Sequence, residues 1–390
     1  MSGRSDSIVG HYASPILDLE VVAGPGGLRL GFQGVPDHYR PRLVPTDDPA
    51  RFLVHGGPIG GAEIEFEMGQ EGVTLSAGPF RLVKGEPPQA PPYRSGAGLL
   101  LGELTDDPAR DGVFAGLAAE VAGMTGDALQ WTLEYPKHEF LRYLMARGQF
   151  IFHGSPHADI DEFAPRRTSL EIFNVGGHGN LGAVYGTDDP IWAMWFAVID
   201  RSKLTGSIRN GVMAFDAEDG SVVRVYEFSV HHEHLPNPPL RTGMLYVLPR
   251  APFNRIPFYP GGPLSDEWAS EVPVHPVARL AIEPSDFPFS DRIGGHDDGD
   301  LIRYDQLSDE VESALVGAEA FPGGFEMRVA PTEELRAAID EYRELSARLL
   351  PDVRRDVGDE VDGIISIRVS GPPAYLQVVE RQLTRLGLLP

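Results

Sequence analysis

No cysteine occurs among the 390 residues, which excludes disulfides, thiolate metal sites and cysteine nucleophiles together. Any metal would have to be held by His, Asp or Glu. Long apolar stretches are missing too: the longest, Ile191 to Ile199, is nine residues, well short of the ~20 that a membrane-spanning helix needs. The opening Met-Ser-Gly-Arg-Ser-Asp-Ser has no apolar core of the kind a secretory signal requires. A cytoplasmic protein without a membrane partner is the expectation. Basic residues are in deficit, 33 Lys and Arg against 57 Asp and Glu, leaving a formal net charge of −24. Such a chain repels phosphate backbones, so bulk nucleic acid is disfavoured as a partner. Neither a Gly-x-Ser-x-Gly elbow nor a Gly-x-x-x-x-Gly-Lys-Ser/Thr loop is present, which leaves serine-hydrolase and P-loop readings without support.

What is present is an ordinary globular composition, 42% apolar and 23% charged, in a chain long enough for two or three domains. Residues 1–135 carry strand-like runs, among them Leu19–Val22, Leu28–Leu30 and the alternation Ala62-Glu63-Ile64-Glu65-Phe66-Glu67-Met68, punctuated by Gly and Pro turns and followed by a short Ala-rich helix at 113–123. This reads as a β-rich N-terminal domain. Over 136–290 a helix ending at Gly148 leads into the strand 149–152, and a second helix begins with Asp189 as cap and Pro190 in the first position. That helix carries Ile191, Trp192, Met194, Trp195, Phe196, Val198 and Ile199 and is apolar nearly all round, so it should be buried. Residues 291–323 read as a loop-rich connector. In 324–390 Thr332 caps a helix, Ile365, Ile367 and Val369 alternate as a strand, and 373–386 reads as a last helix, giving a small α+β module. The fold class is α+β throughout.

Three segments stand out chemically: Phe152-His153-Gly154-Ser155 at a strand end, Val184-Tyr185-Gly186-Thr187 ahead of the apolar helix, and Asp266-Glu267-Trp268. In order and separation, 32 residues from His153 to Tyr185 and 82 from Tyr185 to Glu267, they resemble the His, Tyr and Glu motifs of the ADP-ribosyltransferase superfamily. The similar branch is that of the poly(ADP-ribose) polymerases and diphtheria-type toxins. The resemblance covers residues 149–289, and the layout as a whole resembles a bacterial multidomain group. It implies a central split β-sheet domain that binds NAD as co-substrate, with no metal. By that pattern His153, Gly154 and Ser155 hold the NAD, Tyr185 and Phe196 stack on the nicotinamide, and Glu267 is the catalytic carboxylate. Breaking the nicotinamide–ribose bond expels a cationic leaving group and builds positive charge on the sugar, which a nearby carboxylate stabilises while it orients the acceptor.

Several readings compete. Ser265 stands where many toxin-like members carry Glu or Gln, so the acceptor is not specified; a protein or small molecule is favoured. Glu271 and Asp266 are rivals to Glu267. Gly177-His178-Gly179-Asn180-Leu181-Gly182 fits Gly-x-Gly-x-x-Gly, but strand-like residues follow where a dinucleotide fold needs a helix, so it reads as a loop beside the nucleotide. His232 and His234 would share a strand face as a possible metal pair, which is two ligands and not a site. A non-catalytic nucleotide-binding or protein-interaction module is the alternative from another class. A third reading, NAD-dependent RNA 2′-phosphotransfer, leans on arginines such as Arg166 and Arg167 and is opposed by the charge.

Overall fold

The computed structural model describes all residues except 1–6, 15–17, 25, 70–71, 79, 88, 167–181, 218, 259–260, 351–352, 372 and 390. The described residues form two compact units. One holds those up to Arg166 with Gly182–Leu204 and Ile208–His296; the other holds Thr205–Ser207 and Asp297 onward.

The first unit opens with eight strands, β1 (Gly10–Ala13), β2 (Asp18–Gly24), β3 (Gly27–Gly31), β4 (Arg42–Pro45), β5 (Arg51–His55), β6 (Glu63–Gly69), β7 (Gly72–Ala77) and β8 (Phe80–Gly85). They close into an antiparallel barrel in sequence order, β8 returning to β1. The alternation along β6 buries Ile64 and Phe66 and exposes Glu63 and Glu67, the two-residue period of a strand with one wet face. A barrel of this strand number is filled by its own side chains, here Tyr12, Val21, Leu30, Leu75 and Leu82 among others.

The rest of this unit contains β9 (Leu99–Leu100), α1 (Pro108–Gly123), β10 (Asp127–Ala128), α2 (Lys137–Ala146), β11 (Phe150–Ser155), β12 (Val184–Thr187), α3 (Pro190–Val198), β13 (Ile208–Asp216), β14 (Val222–His231), β15 (Gly243–Pro249), β16 (Asn254–Pro257), β17 (Leu264–Ser270), β18 (Ala278–Ile282) and β19 (Gly294–His296). Seven strands form one sheet in the order β10-β18-β15-β11-β12-β17-β16; β13, β14 and β19 form another, with β9 paired to β14. Phe215 and Val225 of the β13–β14 hairpin join the barrel core, so barrel and sheets pack as one body. Helix α1 and strand β10 differ from expectation. Read from sequence as the tail of the N-terminal domain, they bury Phe114, Ala118 and Val121 in the same core as Phe152 and Trp195, and β10 pairs with β18. The Pro-rich stretch, not residue 135, is where the barrel ends.

The second unit comprises α4 (Gly299–Ser313), β20 (Leu315–Phe321), β21 (Gly324–Val329), α5 (Glu333–Leu349), β22 (Arg354–Val361), β23 (Ile364–Ser370) and α6 (Pro373–Arg385). Its antiparallel sheet runs β20-β21-β23-β22. Thr332 Oγ1 accepts the Leu335 amide at 3.1 Å as the expected cap of α5. Asp362 and Gly363, at φ 52° and 80°, form the two-residue turn between β22 and β23, a conformation Asp-Gly favours. The loop-rich connector expected at 291–323 is corrected here: helix α4 and strand β20 occupy most of it. The glycine and aspartate cluster at 294–300 masked a helical stripe, since Leu307 and Val311 are buried and Tyr304 packs against the same core.

Candidate active site

Strand β11 pairs with β15 over six residues, Phe150–Ser155 against Pro249 back to Met244. Strand β12 pairs with β17 over four, Val184–Thr187 against Ser270 back to Glu267. Between β11 and β12 the ladder holds at one rung, Phe152 opposite Thr187. No second rung joins these strands, so the two parts of the sheet, β10-β18-β15-β11 and β12-β17-β16, are linked through a single residue pair. The segment His153-Gly154-Ser155 and the segment Val184-Tyr185 border the split.

His153 reaches across it. Its Nδ1 lies 2.7 Å from the Tyr185 carbonyl oxygen; because a carbonyl accepts only, Nδ1 carries the proton and Nε2 presents a lone pair. Burial lowers the His153 pKa, against the opposing pull of that hydrogen bond, which favours the neutral ring. The imidazole also packs edge-on against Phe163 at 4.7 Å between ring centroids.

The strand register sorts the remaining groups by face. Directly paired residues project to the same side of a sheet and neighbours along a strand to opposite sides. Phe152, Thr187 and Glu267 therefore form one row across three strands. Tyr185 lies two residues from Thr187 on that face, and so does Phe152's helical cover, α3. His153 projects to the other face and meets Tyr185 through its backbone, so the three residues singled out from sequence adjoin one another without their side chains sharing a side.

Helix α3 begins as expected. Asp189, fully buried, accepts the Ile191 and Trp192 amides at 2.9 and 3.0 Å. Its second oxygen takes the Tyr226 hydroxyl at 3.0 Å and faces Arg224 Nε at 3.2 Å, a connection to β14 that the sequence does not announce. Of the helix's nine residues seven are buried; Trp192 and Phe196 are not. They sit one turn apart with centroids at 6.4 Å, and Trp192 Nε1 donates to Asn210 Oδ1 at 2.7 Å. Trp195 by contrast is core. Trp192 and Asn210 were missed from sequence: Trp192 is hidden in a run of apolar residues, and Asn210 has no local signal.

Glu267 is half-buried in the middle of β17, and its amide donates to Ser265 Oγ at 3.1 Å. Strand β17 ends at Ser270, and Val272 beyond it is 54% exposed. Glu271 consequently stands on an exposed bend past the strand. Asp266 points to the face opposite Glu267, where Arg255 Nη2 holds it at 2.8 Å. Burial, and secondarily the charge of Asp188, push the Asp266 pKa up to about 6. Between about 4 and about 6 the folded chain keeps a proton that the unfolded chain releases, so this group's contribution to stability falls as pH rises through that window and is constant above it. Asp266→Asn, which does not titrate, should gain on the wild-type protein by on the order of 2 kcal/mol between pH values of about 4 and 7. Urea unfolding at the two pH values checks this; an unchanged difference would contradict it.

The other sequence candidates fall out as follows. His232–His234 is a single 3-10 turn after β14 ends at His231, so the shared strand face expected for His232 and His234 does not exist. Residues 177–181 of the glycine motif and Arg167 lie outside the described residues. Arg166 donates its amide to the Ala183 carbonyl at 3.3 Å, at the entry to β12. Among the described residues no helix is long and apolar enough to cross a membrane. No protein-family model matches the chain, and no curated protein or solved structure does.

Proposed function

We propose that the chain is an NAD-dependent ADP-ribosyltransferase, cleaving the bond between nicotinamide and ribose C1′ and passing the ADP-ribosyl group to an acceptor nucleophile or to water. The observation that carries this reading is the sheet linked at Phe152 and Thr187, with His153 bonded across the split to Tyr185 and with Tyr185 and Glu267 on one face. The residues bordering the split suit NAD by their chemistry: aromatic rings for a planar cation, a neutral imidazole lone pair for a ribose hydroxyl, and a carboxylate for developing positive charge.

In this reading Tyr185 and Phe196, with Trp192 beside it, stack on the nicotinamide. From the opposite face of the sheet His153 fixes the β12 backbone through its Nδ1–H and offers Nε2 to a ribose hydroxyl of a dinucleotide that passes through the split, while Gly154 and Ser155 line the same strand end and hold the carboxamide. As the C1′–N bond breaks, its electron pair leaves with nicotinamide, which departs neutral. Glu267 stabilises the cationic sugar, and the acceptor's lone pair forms the new bond to C1′ as its proton passes to the carboxylate or solvent.

Incubation of the purified protein with NAD, alone and with cell lysate, tests the reading. Nicotinamide release is the expected result, and mass spectrometry of protein and small-molecule fractions then identifies the carrier of ADP-ribose, free ADP-ribose marking water as acceptor. No nicotinamide release under either condition would refute the enzyme reading and favour a non-catalytic nucleotide-binding module.

A further inference from the structure

Strand β13 turns one side toward the core of the first unit. Ile208 and Val212, two residues either way from Asn210, pack with Trp195 and Phe228, and Asn210 is paired with Phe228 across the ladder to β14. Alternate residues of a strand and directly paired residues share a face, so Asn210 belongs to an otherwise apolar row. A half-buried carboxamide in such a row needs a polar partner. It has one on α3, where Trp192 Nε1 donates to Asn210 Oδ1 at 2.7 Å. An indole N–H only donates, so the amide oxygen faces the ring and Nδ2 is turned away from it.

The buried indoles differ. Trp195 and Trp268 are 0% and 6% exposed, and among the described residues neither Nε1 has a hydrogen-bond partner. Packing alone fixes those rings. Trp192 and Phe196 are the half-buried residues of α3, one turn apart on the side that the core leaves uncovered. A ring open to solvent on one side has room to turn, and a hydrogen bond at its edge favours one orientation by about tenfold. Strand β13 adjoins both α3 and β17, the elements that carry Phe196 and Glu267. The bond from Trp192 to Asn210 therefore ties the helix to its neighbouring strand beside the two aromatic rings.

We propose that Asn210 is a positioning residue for nicotinamide binding: by accepting from Nε1 it holds the Trp192 ring where, with Phe196, it stacks on the pyridinium. This role rests on the NAD reading of the first unit, and Asn210 acts in it through Trp192 alone.

Steady-state NAD cleavage by the full chain, followed through a double-mutant cycle of Asn210→Leu and Trp192→Phe, tests the role. Asn210→Leu keeps the size and removes the acceptor; Trp192→Phe keeps a ring and removes the N–H. Each single substitution should raise KM for NAD about tenfold and leave kcat within about threefold. The double variant should be no worse than either single one, because the same bond is lost only once. A merely structural role would instead lower the urea midpoint and the apparent kcat with KM unmoved. An unchanged KM in Asn210→Leu, or a double variant worse by the product of the two single effects, about a hundredfold, would overturn the role of Asn210 while NAD cleavage itself stands. Absence of NAD cleavage by the wild-type protein would remove the NAD reading, and this role with it. Asn210→Ala takes the place of Asn210→Leu in the cycle if the latter does not fold.

Discussion

Glu267→Gln is expected to slow NAD cleavage by about 10²- to 10³-fold while leaving NAD affinity within a factor of about three. The substitution preserves shape, removes the charge and replaces one acceptor oxygen by an NH2 donor. The bound ground state already carries its positive charge on the pyridinium, whereas the charge that Glu267 meets on the ribose exists chiefly in the transition state. The loss should therefore fall on kcat more than on KM. The rung between Glu267 and Thr187 and the amide bond to Ser265 are backbone features that the variant keeps. Glu271→Gln is the matched control. It lies past the end of β17 on an exposed bend and should retain wild-type rates. A loss carried by Glu271 instead would move the carboxylate assignment, and no loss in either variant would remove the carboxylate from the mechanism.

Gly154→Ala is expected to destabilise the first unit by about 3 kcal/mol or more. A Cβ at this position would stand 1.9 Å from the Ala193 carbonyl oxygen and 2.7 Å from the Ala197 amide nitrogen. Both are backbone atoms of α3, so no side chain can swing aside; the helix must lift from the sheet. Gly243 meets the same helix, its Cβ position 1.9 Å from the Ala197 carbonyl oxygen. Two glycines and two alanines thus let α3 sit directly on β11 and β15. Because α3 carries Phe196 and starts from Asp189, any lift should also weaken NAD binding. Gly182→Ala, with nothing within 4 Å of the added carbon, should cost less than about 0.5 kcal/mol. Urea denaturation of both variants separates the cases, and equal midpoints would show that the close approach is not maintained in solution.

The sequence made the cap-and-proline start of α3 legible because those signals are local: Asp189 and Pro190 act on the next few residues. The barrel strands were legible for the same reason, as the alternation in Glu63–Met68 needs no partner to be read. What escaped depends on residues distant in the chain. Helix α4 buries few side chains and opens behind a glycine-rich segment, so its stripe looked like loop. The single rung between β11 and β12, on which the candidate site depends, is a property of register across 35 residues, and no local pattern encodes it. Gly154 was read as a backbone contact for NAD; what the structure shows for it is the close packing of α3.

A crystal structure of the Glu267→Gln protein with NAD tests the central claim most directly, since the slowed variant should hold the dinucleotide intact. The account predicts the nicotinamide ring between Tyr185 and Phe196, within about 4.5–7 Å of each ring centroid, with ribose C1′ turned toward residue 267. NAD bound away from the split between β11 and β12, or no binding at saturating NAD, would contradict it.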